Sequence, residues 1–109
     1  MNIDVKNNKK AGRFEVELDG ETAFAEYDLK RDGSIVFPHT VVPGAFEGRG
    51  VGSALAKAAL GYARDEGLKV IPLCSFFAGY IARHPEYLEI VNPRFRDRVK
   101  PYEEGGAKG

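Results

Sequence analysis

The sequence predicts an α+β domain in which an antiparallel meander feeds a strand–loop–helix–strand unit. Three observations carry that prediction. Apolar residues alternate in "RFEVEL", the runs "TAFAEYDL" and "SIVFPHTVV" read as further strands, and from Val51 to Ala63 apolar residues fall at helical spacing. Turn signals fall where the period breaks, at Asp19-Gly20, at Arg31-Asp32-Gly33 and at the glycines 48, 50 and 52. The 109 residues suffice for one domain with one core.

The elements follow in order. In "RFEVEL", Phe14, Val16 and Leu18 share one face while Arg13, Glu15 and Glu17 take the other, the pattern of a half-buried strand. Asp19-Gly20 turns the chain into "TAFAEYDL", the returning strand, and "RDG" turns it again. "SIVFPHTVV" is the third strand. Its Pro38 lacks an amide hydrogen and belongs at an edge or a bulge. His39 shares strand parity with Ile35, Phe37 and Val41, the bland reading being a core or edge histidine. Val51, Ala54, Leu55, Ala58, Ala59, Tyr62 and Ala63 line one side of a helix, opposed by Lys57, Arg64, Asp65 and Glu66, with Gly67 as terminator. "LKVIPLC" reads as a buried strand ending at Cys74, and "SFFAGYIAR" as a short helix that stops before His84-Pro85. Residues 1–109 form a single domain, with 1–12 and 94–109 read as flexible ends.

Composition excludes several classes. Hydrophobic content of 43% and charged content of 29% fit a globular protein. Sixteen basic and sixteen acidic residues cancel, so no global field points to nucleic acid or membrane. No apolar run approaches the roughly 20 residues of a membrane span, and "MNIDVKNNKKAG" has no signal-peptide apolar region. A lone cysteine makes no internal disulfide, so a cytoplasmic home is expected. Two histidines and one cysteine match no zinc spacing, and no metal site is expected.

The stretch "VVPGAFEGRGVGSAL" carries the chemistry. Glycines between a strand and a helix start let backbone amides approach a ligand closely. A helix N-terminus offers orphan amides and partial positive charge to an anion. The spacing is neither the dinucleotide fingerprint nor the triphosphate loop, since no Lys-Ser or Lys-Thr pair follows. A glycine-rich turn without a ligand is the plain alternative.

With "VVP" before "EGRGVG", and Gly50 and Gly52 in the two glycine positions, the sequence resembles the GNAT superfamily of acyl-CoA-dependent N-acetyltransferases, whose pattern is [QR]-x-x-G-x-[GA] opening a helix. It looks most like the small single-domain branch, which carries a similar His-Thr before the loop and a Cys-x-Phe…Tyr-Ile…His-Pro-Glu-Tyr ending. The likeness covers roughly residues 13–90. Glu47 departs from the pattern, standing where Gln or Arg is usual, with Arg49 as the nearby compensating cation.

The resemblance implies a minimal GNAT fold that binds acetyl-CoA and transfers acetyl to an amine. Backbone groups of Thr40, Val41 and Val42 would hold the pantetheine arm, and the amides of Arg49, Gly50, Val51, Gly52 and Ser53 the pyrophosphate. Cys74, Tyr80 and His39 are the candidates for proton work. Cys74 would protonate the leaving thiolate or accept the acetyl group, or else be a small buried hydrophobe. Tyr80 aligns with the general-acid tyrosine of many such enzymes, or else packs on the core. His39 would be the general base. His84 shapes a turn.

The meander leaves no room for the early helices that roof the acceptor pocket in larger relatives. An open site suits a bulky acceptor such as a protein lysine, or a pocket completed by a second subunit, so monomer and homodimer both stand. The alternatives to an enzyme are a non-catalytic acyl-CoA-binding module and a plain interaction domain. "RFRDRVK" sets Arg94, Arg96, Arg98 and Lys100 against Asp97 alone. That run is either solvated or directed at the 3′-phosphate of CoA.

Overall fold

The computed structural model describes residues 3–46 and 48–99. A five-stranded sheet runs in sequence order: β1 (Lys6–Asn8), β2 (Arg13–Leu18), β3 (Glu21–Leu29), β4 (Ser34–Val41) and β5 (Lys69–Ile71). The first four strands are antiparallel neighbours, and β5 lies parallel to β4 after a crossover through α1 (Val51–Asp65). A second helix, α2 (Ser75–Arg83), follows β5. Short 3-10 segments at Pro85–Ile90 and Pro93–Arg98 come next. The α+β class, the meander and both helices therefore match the expectation.

The β2–β3 turn has Asp19 at φ 52° and Gly20 at φ 80°. Two consecutive left-handed residues make the turn whose twist suits a two-residue hairpin. At the far end of α1, Gly67 (φ 69°) reverses the chain. Its amide bonds the Arg64 carbonyl (3.2 Å), and the Leu68 amide bonds that of Ala63 (2.8 Å), which satisfies two orphan acceptors of the last turn.

Both helices pack on one face of the sheet. Phe14, Val16, Ala23, Ala25, Ile35 and Phe37 from the strands form one continuous core with Leu55, Ala59, Leu60 and Ala63 of α1 and Phe77 and Ile81 of α2. Ala23 and Ala25 of β3 and Ala59 and Ala63 of α1 are fully buried in this core. The Phe37 and Phe77 rings stack at 4.2 Å. The other face presents Arg13, Glu15, Phe24 and Glu26, with the Arg13 guanidinium 4.5 Å from the centre of the Phe24 ring.

Three features differ from the sequence reading. The polar strand β1 pairs antiparallel with β2, and side chains fasten it further. The Asn8 side-chain amide donates to Glu15 (2.8 Å), and the Tyr27 hydroxyl donates to Asn7 (2.7 Å). Strand β5 ends at Ile71, because Pro72 cannot extend a ladder, and Cys74 becomes the N-cap of α2 instead of a strand terminus. Beyond α2, Val91 bridges Val70. The Asn92 main chain donates to the Val70 carbonyl (2.8 Å) and its side chain to Ser34 Oγ (3.1 Å). That pin leads into Pro93–Arg98 and a buried Val99, so part of the segment read as a flexible end has a fixed place. Lys100 lies outside the described residues.

Candidate functional site

The β4–β5 pairing is short. It joins Ser34–Val36 to Lys69–Ile71, and the last bond across is the Cys74 amide to the Phe37 carbonyl, 3.0 Å. Strand β4 runs on to Val41, paired with β3 alone. On its other side, among the described residues, the backbone from His39 to Val41 has no strand partner. An unpaired strand edge is a row of donors and acceptors waiting for an extended ligand.

Within β4, register fixes which residues look into that opening. Glu26 pairs with His39 and Asp28 with Val36, so two steps on β3 match three on β4. The extra residue is a bulge at Phe37-Pro38, one of the two placements expected of that proline. Beyond it the alternation is inverted. Thr40 pairs with core-facing Ala25, whereas His39 pairs with Glu26 on the face away from the helices. His39 is exposed there, its ring 6.3 Å from that of Phe24. It does not share parity with Ile35 and Phe37, because counting in twos fails across a bulge.

The glycine loop faces the same end of the sheet. Gly48 and Gly50 both have φ 77°, a conformation that side-chain-bearing residues rarely adopt. Gly50 is the N-cap of α1, with no side chain capping it, and the Ala54 amide to Gly50 carbonyl bond (3.0 Å) is the first of the helix. The amides of Val51, Gly52 and Ser53 therefore lack an intrahelical partner. The Arg49 amide differs, since it donates to the Phe46 carbonyl at 3.2 Å. Gly52 has a packing reason as well. A Cβ there would meet the Phe76 ring at 3.2 Å and Val42 at 3.9 Å, so glycine lets α1, α2 and the end of β4 converge. Glu47, the departure from the family pattern, lies outside the described residues.

Cys74 and Thr40 come together across the splay, with the thiol 3.3 Å from Thr40 Oγ1. Cys74 is free and half-buried. Tyr80 is 6% exposed on α2, stacked on His84 at 4.2 Å and 6.1 Å from the ring of Tyr87. Burial pushes its hydroxyl above the ordinary tyrosine value, with Tyr87 and Glu86 adding to the rise and Arg83 opposing it. Among the described residues no group hydrogen-bonds that hydroxyl. The three candidates for proton work thus occupy three environments: the splay, a buried aromatic cluster and the open sheet face. A shallow pocket beside the Cys74 turn is lined by Pro72, Leu73, Ser75, Ala78, Asp97 and Arg98. No group of metal-ligating side chains occurs among the described residues.

Sequence reasoning missed two contacts. Thr40 enters through its hydroxyl as well as its backbone, and Arg49 reaches Asp19 at the hairpin tip, 3.2 Å away and 30 residues earlier. Neither pairing leaves a local signal, since each joins residues distant in the chain.

A parallel pair that parts beside a glycine-rich helix start defines the class of this domain. The chain belongs to the GCN5-related N-acetyl-transferase family, whose family model matches residues 13–90. Its fold is a minimal form of that family's. Among curated proteins it is similar to Protein NATD1 of Xenopus tropicalis, 35% identical over 95 residues, which is 84% of this chain and 87% of that protein. The Gallus gallus protein of the same name is 35% identical over 95 residues (84% and 86%). The human one is 34% identical over the same length (84% of each).

Proposed function

We propose that this chain is an acetyl-CoA-dependent N-acetyltransferase acting on an amine, a protein lysine or a small amine. The observation that carries the reading is the free β4 edge beside the uncapped start of α1. Thioester aminolysis forms a C–N bond and breaks a C–S bond. The protein must hold two substrates, donate to an oxyanion and move two protons. On this reading the backbone of Thr40, Val41 and Val42 holds the pantetheine arm, with one amide directed at the oxyanion. The amides of Val51, Gly52 and Ser53 take the pyrophosphate at the positive end of α1, helped by the glycine at position 50. Cys74 stands beside Thr40 where the thioester would lie, as proton donor to the departing thiolate or as acyl acceptor. Tyr80, protonated at neutral pH, is the competing acid, and His39 is the base reachable from the open face. Its single free thiol suits a reducing cytoplasm.

A non-catalytic acyl-CoA-binding module is the second reading, favoured by the separation of Cys74, Tyr80 and His39. One pair of measurements decides. Acetyl-CoA at one hundred times its dissociation constant should stabilise the fold by about 2.7 kcal/mol, a rise of about 10 °C in midpoint for a domain of this size. Amine-dependent release of free CoA then marks the enzyme, and a thermal shift without turnover marks the module. No shift at millimolar acetyl-CoA rejects both.

A further inference from the structure

We propose that Arg49 is the phosphate-recognising cation of the glycine loop, and that Asp19, at the tip of the β2–β3 hairpin, is a resident anion that competes with CoA for it. This rests on the CoA reading of the loop. Arg49 precedes the N-cap Gly50, so its side chain is rooted beside the uncapped amides of α1. It is the sole cation in residues 44–56. Its amide is already committed to Phe46, which leaves the guanidinium as the part of Arg49 free to meet a ligand.

Among the described residues the guanidinium is held loosely. One contact, Nη1 to Asp19 Oδ2 at 3.2 Å, ties it to the hairpin, and the side chains are 33% and 76% exposed. An arginine has five donors and binds phosphate oxygens in pairs. A single-point contact to an exposed carboxylate uses little of that capacity. A diphosphate arriving at the helix start offers the same guanidinium a doubly charged, two-point partner. The arginine then leaves Asp19, and the hairpin tip, which this pair links to the loop across 30 residues of sequence, is released.

The expected size follows from the modest strength of exposed pairs. Their measured range corresponds to a paired-to-free ratio of roughly 1.4–5. The apparent dissociation constant is the intrinsic one divided by the free fraction. Removing Asp19 as a competitor therefore tightens CoA binding about two- to sixfold at low salt.

The experiment is calorimetric titration of CoA into the full chain and three variants: Asp19→Asn, Arg49→Gln and the double variant. Asparagine suits the test because it tolerates the left-handed backbone at position 19 (φ 52°) and keeps the shape of the side chain. Asp19→Asn should tighten binding and Arg49→Gln should weaken it, while Asp19→Asn added to Arg49→Gln should change nothing. The gain should fade in high salt, where exposed charges are screened. Equal tightening by Asp19→Asn in both backgrounds means that Asp19 merely repels the ligand, and the competition is refuted. Weaker binding after Asp19→Asn means that the pair supports the loop, and it is refuted likewise. Failure of the unmodified chain to bind CoA overturns the CoA reading itself, a result separate from either of these. Unfolding midpoints recorded alongside identify any variant whose binding changes because its fold has.

Discussion

Gly52→Ala tests whether the joint between the two helices sets the position of the glycine loop. Gly52 lies inside α1 without positive φ, so alanine meets no backbone strain there, unlike at Gly48 or Gly50. The new Cβ would stand 3.2 and 3.4 Å from two carbons of the Phe76 ring. Apolar carbons rest about 3.5–4.0 Å apart, so the ring must retreat by a few tenths of an ångström. Its path is restricted. Phe76 meets Phe77 edge-on at 5.4 Å, and fully buried Phe77 is stacked on Phe37. Overpacking of this kind costs about 1–3 kcal/mol, against a gain of up to about 1 kcal/mol from helix propensity. The balance is a net loss of about 0–3 kcal/mol in urea unfolding. CoA affinity should fall several-fold, because the first turn of α1 is pushed from Val42 and the β4 edge. Trimming the neighbour in Gly52→Ala/Phe76→Leu should restore affinity. A single variant that gains about 1 kcal/mol and binds CoA like the parent would refute the account, since the ring would then be moving aside freely.

Cys74→Ala should lower turnover with little change in CoA affinity, as for a group that acts in the transition state. An acetyl mass trapped on Cys74 of the parent argues for a covalent route, and neither effect makes the thiol structural. Burial raises the Tyr80 pKa, so the unfolded chain ionises first. Stability should be level up to about pH 10 and fall above it, with Tyr27, raised by burial in the same way, adding to the fall. Tyr80→Phe should make that alkaline decline shallower in pH-dependent urea melts, and an unchanged decline contradicts the assignment. Truncation after Pro93 would also remove buried Val99, so the tail charges are better tested by neutralising Arg94, Arg96 and Arg98 to Gln. If they reach the 3′-phosphate, CoA binding weakens while 3′-dephospho-CoA binding does not. Equal effects on both ligands exclude that role.

Much of the fold was legible because its signals are local. Alternation in "RFEVEL", the Asp19-Gly20 turn that returns the chain into "TAFAEYDL", and the spacing of Val51, Leu55, Ala59 and Ala63 each report their own neighbourhood. Strand β1 was not, since "KNN" has no apolar pattern and forms only because β2 and Tyr27 supply partners from elsewhere. The end of β5 was hidden by reading Pro72 as part of a run that it terminates. At the site, the glycine loop announced itself. The contacts of Arg49 with Asp19 and of Cys74 with Thr40 depend on which elements the topology brings together, and no window of sequence contains both members of either pair.

The bulge at Phe37-Pro38 divides β4 into two stretches of opposite phase. Upstream, Ile35 and Phe37 are locked against the helices. Downstream, pairing with β3 turns Thr40 toward Cys74 and His39 outward. Deleting Pro38 would remove the extra residue and leave a regular ladder, with His39 still opposite Glu26 and Thr40 still opposite Ala25. Thr40 would stay on the side of Cys74, and His39 would stay on the exposed face. The spare residue is slack in the strand: it breaks the count in twos along the sequence, while pairing with β3 alone sets which side chains enter the opening.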